Sequence, residues 1–439
     1  MSRAGLTVRA LNAQDDLGPE YDLRHRAFGP ITGEVSQAIL DDLAECVAES
    51  RLLGAWDDGI LVGTARYYDM AQWWHGRSQP MAGVGGVKVA PEARARGVGK
   101  ALMSGLLAAM SERGYPLSAL YPATPHLYRS LGWELAGSQY LAEMPCRTLT
   151  SLRDPDPRVA AAAGGLGGSA GAAASVRLRR AEPADAEEVI ATLGAVHAAS
   201  LDCGPCTEDV PGVRRWLAEP GVFAYLAQDG FLAYGWYGGS RQIQVHVLQA
   251  ASARTARALW GIVGSHASIA DTVRACVGPA DPITWLTSEL DLSLRRYHGW
   301  MLRVLDAQAA IAARGFPAGT QISVPLALTD KELPANTGRY TLTVRAGRGS
   351  LDRRTPEPGA PSQPALWPAG PGQAAAAPAA PLAAPASPVT LGPRGFAALF
   401  AGVPMAALRV AGLLAGGDPD TDAALDSAFA GQPYLLYYF

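Results

Sequence analysis

Residues 84–103 read VGGVKVAPEARARGVGKALM, and the interpretation of this stretch decides the interpretation of the rest. Val84, Val87 and Val89 suit a strand, Pro91 ends it, and Gly97-Val98-Gly99 leads into an amphipathic helical pattern over residues 100–114. The first-turn N–H groups of such a helix lack partners within it and carry the positive end of its dipole. Bare glycine backbone at that point suits an approaching diphosphate, and Arg94 and Arg96 add charge. A Walker loop does not fit, because it needs Gly where the chain has Arg94 and Ser or Thr where it has Ala101. A dinucleotide fingerprint fails as well: Met103 and Ser104 stand where its third glycine should be.

Outward from this stretch the chain repeats itself. LTVRALNAQD at residue 6 and VRLRRAEPAD at residue 176 each predict a strand and an acidic helix start. DDGILVGTARYY (57–68) and QDGFLAYGWYG (228–238) each place apolar runs around an Asp-Gly turn. VKVAPEARARGVGKALM (87–103) is matched by VHVLQAASARTARALWG (245–261), a strand, connection and helix without the glycines. Two related α/β units follow from this: residues 1–150, intact, and residues 176–300, degenerate. An Ala/Gly-rich linker over 151–175 separates them. A third α/β region, 301–439, starts near GWMLRVLDAQAAIAARGFP (299–317) with a strand and a helix, and contains a Pro/Ala-rich loop at about 354–388.

Composition sets limits. The chain has 439 residues, 49% of them hydrophobic, and a formal net charge of −3. Such a chain is long enough for several domains and lacks the basic excess of a nucleic-acid binder. No stretch reads as a signal peptide or membrane span, since the apolar run at 396–415 is broken by Pro404 and Arg409; a cytoplasmic protein is expected. Five cysteines suggest reduced thiols. Cys203-Gly-Pro-Cys206 copies a redox motif but follows a predicted helix rather than a core strand. The seven histidines show no ligand spacing, so no metal is expected.

Arg94-Ala95-Arg96-Gly97-Val98-Gly99 resembles the R/Q-x-x-G-x-G/A loop of the GNAT N-acyltransferase superfamily. HLYRSLGWELAG (126–137) resembles that family's Y-x-x-x-G-aromatic segment. The whole layout is similar to the Eis (enhanced intracellular survival) acetyltransferases, with further matches at ERGYPL (112–117), WMLRVLDAQAAIAARGF (300–316) and the terminal LDSAFAGQPYLLYYF. The resemblance implies an α/β (α+β) fold with tandem GNAT units, the first intact, followed by a sterol-carrier-protein-like domain. It implies an N-acetyltransferase acting from acetyl-CoA on a primary amine of a small molecule or a lysine side chain, by direct attack in a ternary complex. The acetyl-CoA site would be Val87, Lys88, Val89 and the run Arg94, Ala95, Arg96, Gly97, Val98, Gly99, Lys100. Tyr128 would be the general acid, and the carboxylate of Phe439, reaching the first unit, would orient or deprotonate the amine.

An apolar, aromatic terminus is unusual and reads as buried. An α-carboxylate with an ordinary pKa of about 3.5 is a weak base, so orientation and desolvation of the amine are expected of it as much as proton removal. Phe28, Trp73, Trp74 and Tyr438 are the expected acceptor-site residues. The chain has Phe28-Gly29-Pro30 and Tyr438 where relatives often carry acids, which predicts a less acidic pocket and weakens an aminoglycoside reading. The family implies a hexamer, with neither nucleic acid nor membrane as partner. The competing class is a non-catalytic acyl-CoA or lipid-binding protein.

Overall fold

Tight turns with both central residues at positive φ match the right-handed twist of the strands they join, and the first unit uses two of them. Asp58 and Gly59 (φ 51° and 83°) and His75 and Gly76 (φ 44° and 75°) are these turns in the computed structural model of the chain. The structure describes residues 5–29, 37–152, 176–237, 241–289, 291–354 and 387–439. All but the ends of the linker (151–175) and of the Pro/Ala-rich loop (about 354–388) lies outside them.

The first unit runs β1 (Leu6–Ala10), α1 (Gly18–Phe28), α2 (Gln37–Ala48), β2 (Leu52–Asp57), β3 (Ile60–Trp74), β4 (Arg77–Val89), α3 (Val98–Glu112), β5 (Leu117–Leu120), α4 (Pro125–Ser130) and β6 (Glu134–Pro145). β1 to β4 form an antiparallel meander, and β5 joins β4 in parallel after the α3 crossover. The α3 stripe Val98, Leu102, Met103, Leu106, Leu107 and Met110 is buried against the sheet, as its 3.6-residue spacing requires.

The second unit contains β7 (Arg179–Arg180), α5 (Ala186–Ser200), β8 (Cys203–Glu208), α6 (Val210–Leu217), β9 (Phe223–Ala227), β10 (Gly230–Tyr237), β11 (Gln242–Ala250), α7 (Ala253–Gly264), β12 (Thr272–Val277), α8 (Ile283–Leu286) and β13 (Ser293–Val304). The two units interlock. β13 inserts between β5 and β6, and β12 pairs with the other edge of β6, so both units share one sheet. The strand at 299–304, expected to open the third region, instead completes the first sheet. Apolar alternation marks a strand but does not say which sheet receives it.

The third domain contains α9 (Ala307–Ala313), β14 (Ile322–Leu328), β15 (Gly338–Arg345), β16 (Arg348–Arg353), β17 (Val389–Leu391), α10 (Pro393–Phe400), α11 (Met405–Val410), β18 (Leu414–Ala415), α12 (Pro419–Phe429) and β19 (Tyr434–Leu435). Its own sheet has the order β16-β15-β14-β17-β18. β19 leaves the domain and pairs with β6 of the first unit.

A buried ion pair joins the third domain to the first. Arg303 on β13 and Asp330 after β14 lie 2.7 Å apart with side chains 1% and 3% exposed, and the guanidinium also donates to the carbonyls of Leu131 and Val304. Removing one partner leaves a buried charge unpaired. Asp330→Ala is therefore expected to cost about 3–5 kcal/mol, read from the midpoint of denaturant unfolding. Because Leu131 closes α4, the same change should loosen the support of Tyr128.

Candidate active site

The parting of β4 from β5 creates the site. They pair from Met81↔Leu117 to Val84↔Leu120; β5 then ends, while β4 continues to Val89 held only by β3. A register shift and Gly86 at φ 59° mark the bend, and such a bulge turns the strand away from its neighbour. The free edge of β4 over Val87, Lys88 and Val89 faces the opening. The Lys88 ammonium is not available there, because it forms a buried ion pair with Glu20 of α1.

Beyond Val89 the chain passes through Ala95 (φ 59°) and Gly97 (φ 84°) into α3. Gly97 caps the helix without a side-chain hydrogen bond. The amides from Ala95 to Lys100 have no acceptor among the described residues, the next one, of Ala101, donating to Gly97 at 3.0 Å. This is an array of converging donors at the positive end of a dipole. Arg96 is held by Asp57 at 2.6 Å and Arg94 reaches the Val89 carbonyl at 3.4 Å, while Lys100 is exposed. The corresponding helix of the second unit, α7, is closed by its own side chain: Ser252 Oγ accepts from the Thr255 amide at 3.2 Å. The degenerate copy thus uses on itself a donor that the first copy leaves open.

A Cβ on Gly99 would make only ordinary contacts, 3.5 Å to Leu127 and 3.7 Å to Val89. Gly99→Ala is therefore compatible with the fold and, in the first turn of a helix, is expected to be neutral or slightly stabilising, so a loss of coenzyme affinity would come from a ligand lying on the backbone. We expect a several-fold rise in the KM for acetyl-CoA with an unchanged or slightly raised melting temperature.

Tyr128 is buried on α4 and fixed by the turn that follows. Gly132 sits at φ 95°, where an added Cβ would also meet Arg303 Nε at 2.9 Å; this lets the Trp133 amide donate to the Tyr128 carbonyl at 3.1 Å. The motif glycine is thus a backbone requirement. The Tyr128 hydroxyl has no hydrogen-bond partner among the described residues, and burial, with a smaller effect of Tyr438, pushes its pKa up to about 12. It is protonated at neutral pH and free to donate.

The chain's last residues reach the same place. Tyr434 and Leu435 pair with Ser138 and Gln139 of β6, and Gln139 Nε2 donates to the Leu436 carbonyl at 3.1 Å. Tyr121, just past β5, donates its hydroxyl to the Tyr437 carbonyl at 2.9 Å, while Tyr437 donates to the Cys206 carbonyl at 3.1 Å. Tyr121 stacks on Tyr438 at 4.3 Å and meets the Phe439 ring edge-on at 5.5 Å. Gly83 and Gly85 make the room: a Cβ on Gly83 would lie 3.0 Å from the Phe439 ring, and one on Gly85 would lie 3.5 Å from the terminal carboxyl carbon. The terminal carboxylate is thereby laid on β4 where β5 has ended.

Next to it is a cavity of about 710 Å³ between the two units, lined by Tyr68, Glu208, Trp216, Tyr437, Tyr438 and Phe439 among others. Tyr438 is among the residues lining this cavity. Phe28, Trp73 and Trp74 are not. Phe28 ends α1 and is 62% exposed, outside the lining. Trp73 and Trp74 belong to β3 rather than to a loop, and alternation sends them to opposite faces. Trp73 packs near His197 and Gly194 of α5. Trp74 is fully buried against Phe400 and the Arg314 guanidinium.

The pocket is not poor in acids either, because Asp42, Glu208 and Glu219 line it. They come from α2 and the second unit, where no motif points. Cys203 and Cys206 follow α5, and they lie on β8, which pairs with β3. Both are buried, and burial raises their pKa, that of Cys206 to about 12, so neither has reactive thiolate character. Among the described residues there is no cluster of three or more metal-ligating side chains, and no helix long and apolar enough to cross a membrane.

Comparison with known proteins agrees with this architecture. Acetyltransferase (GNAT) domain families match residues 7–136 and 212–304, and a sterol carrier protein domain family matches 307–437. A solved GCN5-related N-acetyltransferase from Kribbella flavida is 38% identical, with a TM-score of 0.82 over 99% of this chain and 98% of that one. An uncharacterized N-acetyltransferase of Streptomyces avermitilis is 27% identical over 79% of this chain and 85% of its own. The N-acetyltransferase Eis of Mycobacterium tuberculosis is 28% identical over 78% of this chain and 79% of its own. The chain therefore belongs to the GCN5-related N-acetyltransferases, as an Eis-like enzyme with two GNAT units and a sterol-carrier-protein-like domain.

Proposed function

We propose that the enzyme transfers an acetyl group from acetyl-CoA to a primary amine in the cavity between the two units, with the reaction at the fork of β4 and β5. The observation that carries this reading is the terminal carboxylate of Phe439 lying on Gly85, next to the unpaired edge of β4. The amides of Ala95 to Lys100 fit a diphosphate, and the free edge over Val87 to Val89 can pair with the amide-bearing arm of the coenzyme. Bound there, acetyl-CoA supplies the activated thioester.

The chain's own groups do the rest. Backbone N–H groups on the free edge of β4 can polarise the thioester carbonyl. The Phe439 carboxylate attracts the ammonium form of the acceptor and takes its proton, which passes to solvent and leaves the neutral nucleophile. Tyr128 donates its hydroxyl proton to the departing sulfur and is restored by the proton that the newly acylated nitrogen sheds. A phenol at about 12 is a weak acid, but the same burial raises the basicity of a thiolate, so the pair remains matched enough for a strong hydrogen bond. Holding both reactants in one cavity lowers the barrier further.

The test follows free thiol while the protein is incubated with acetyl-CoA and a panel of amines. Release that depends on amine, with a product heavier by one acetyl group, is expected. Binding of acetyl-CoA without amine-dependent release would support the non-catalytic alternative for this site.

A further inference from the structure

Of the charged side chains lining the cavity, Asp42, Arg215 and Arg274 are paired, whereas the half-buried Glu208 and the exposed Glu219 have no ion pair among the described residues. Asp42 is held by Arg66 at 2.8 Å and by Arg215 at 3.4 Å. Glu45 is held by Arg51 at 2.9 Å and also by Arg215, and Arg274 lies 3.5 Å from Glu143. Glu208, the last residue of β8, lines the cavity, and its carboxylate has no hydrogen bond or ion pair among the described residues. Burial pushes its pKa up to about 7, with Asp42, Asp209 and Glu219 adding to the effect and Arg215 opposing it. A half-buried, partly desolvated carboxylate without a partner is an electrostatic demand that an arriving cation satisfies.

Its place relative to the reaction centre follows from the strand register. Glu208 stands opposite Met70 on one edge of β3, while Gly83 and Gly85 stand opposite Tyr68 and Arg66 on its other edge. Residues paired directly across strands share a face, and a Cβ on Gly83 would touch both Met70 and the Phe439 ring. Glu208 and the terminal carboxylate therefore lie over the same face. Their anchoring Cα positions, Glu208 and Gly85, are two strand spacings apart across the sheet and four residues along it, about 16 Å in all. Tyr68 lies between them in the register and also lines the cavity, so its ring can cover the methylene chain of a bridging molecule or face a cation.

We propose that Glu208 of the degenerate GNAT unit holds a second ammonium group of the acceptor, so that the enzyme prefers long diamines and polyamines, with one nitrogen at Phe439 and another at Glu208. The proposal rests on the acetyl-transfer reading above. It gives the second unit a role in recognition.

The test compares octamethylenediamine with octylamine, which has the same carbon chain and lacks the second nitrogen. Wild-type enzyme is expected to favour the diamine in kcat/KM by about tenfold or more. Glu208→Gln should bring that ratio near one and leave octylamine within about twofold of wild type, while Glu208→Asp, which keeps the charge, should retain part of the preference. A ratio unchanged in Glu208→Gln, or an equal loss on both amines, overturns the proposal. Calorimetric binding of octamethylenediamine gives a second readout, with about tenfold weakening expected in Glu208→Gln and equal affinity in both proteins overturning the assignment. If wild type acetylates neither amine, the acetyl-transfer reading is the part that fails, and the binding comparison still decides the role of Glu208.

Discussion

Tyr128→Phe is expected to lower amine-dependent turnover by about 10²-fold, with little change in stability or in the KM for acetyl-CoA. The stability half of this expectation follows from an absence of hydrogen bonding: the hydroxyl has no partner among the described residues, so its removal orphans no buried group. The rate half follows from what the hydroxyl is free to do. It is held protonated by its surroundings and has nothing of the protein's own to donate to, which suits a group whose partner appears only when a thiolate leaves. Steady-state kinetics with the acceptor in excess, alongside thermal unfolding of both proteins, separates the two. Turnover within a factor of two of wild type would remove Tyr128 from the mechanism.

Removal or burial of the terminal carboxylate should have the next largest effect. Deleting Phe439, or extending the chain beyond it, is expected to reduce kcat/KM for the amine by about tenfold to a hundredfold without unfolding the protein. Most of the tail's anchors precede Phe439: the pairing of Tyr434 and Leu435 with β6, and the hydrogen bonds of Gln139, Tyr121 and Tyr437. Deletion also removes the ring seated on Gly83 and beside Tyr121, so the sharper comparison is a semisynthetic chain ending in phenylalanine amide. That variant keeps the ring and neutralises the charge. If the amide works as well as the acid, the carboxylate has no part in handling the amine.

Part of this molecule is legible in its amino-acid order, and the boundary between that part and the rest has a physical basis. The loop at residues 94–99 and the Tyr-x-x-x-Gly segment can be read because each is a backbone device written in local spacing. Gly97 and Gly132 both sit at positive φ, where other residues are strained. The Asp-Gly turn of the first unit is legible for the same reason. What the sequence hides is long-range: that β13 leaves its own unit to lie between β5 and β6, that Trp74 faces Arg314 inside the core, and that Glu208 faces the cavity from β8. Strand alternation gives two faces without saying which neighbour meets either one, so Trp73 and Trp74 read as candidates for a groove while Glu208 belongs to no motif. Gly83 and Gly85 stand at the edge of the decisive stretch. Their purpose, making room for the chain's own end, involves a residue more than three hundred positions away.

The most direct test is a crystal structure of the full chain with coenzyme A. The account predicts its diphosphate on the amides between Ala95 and Lys100, its pantetheine arm along the free edge of β4, and its sulfur beside the Tyr128 hydroxyl and the Phe439 carboxylate. Coenzyme A bound elsewhere, with this fork of β4 and β5 closed or filled by protein, would contradict it.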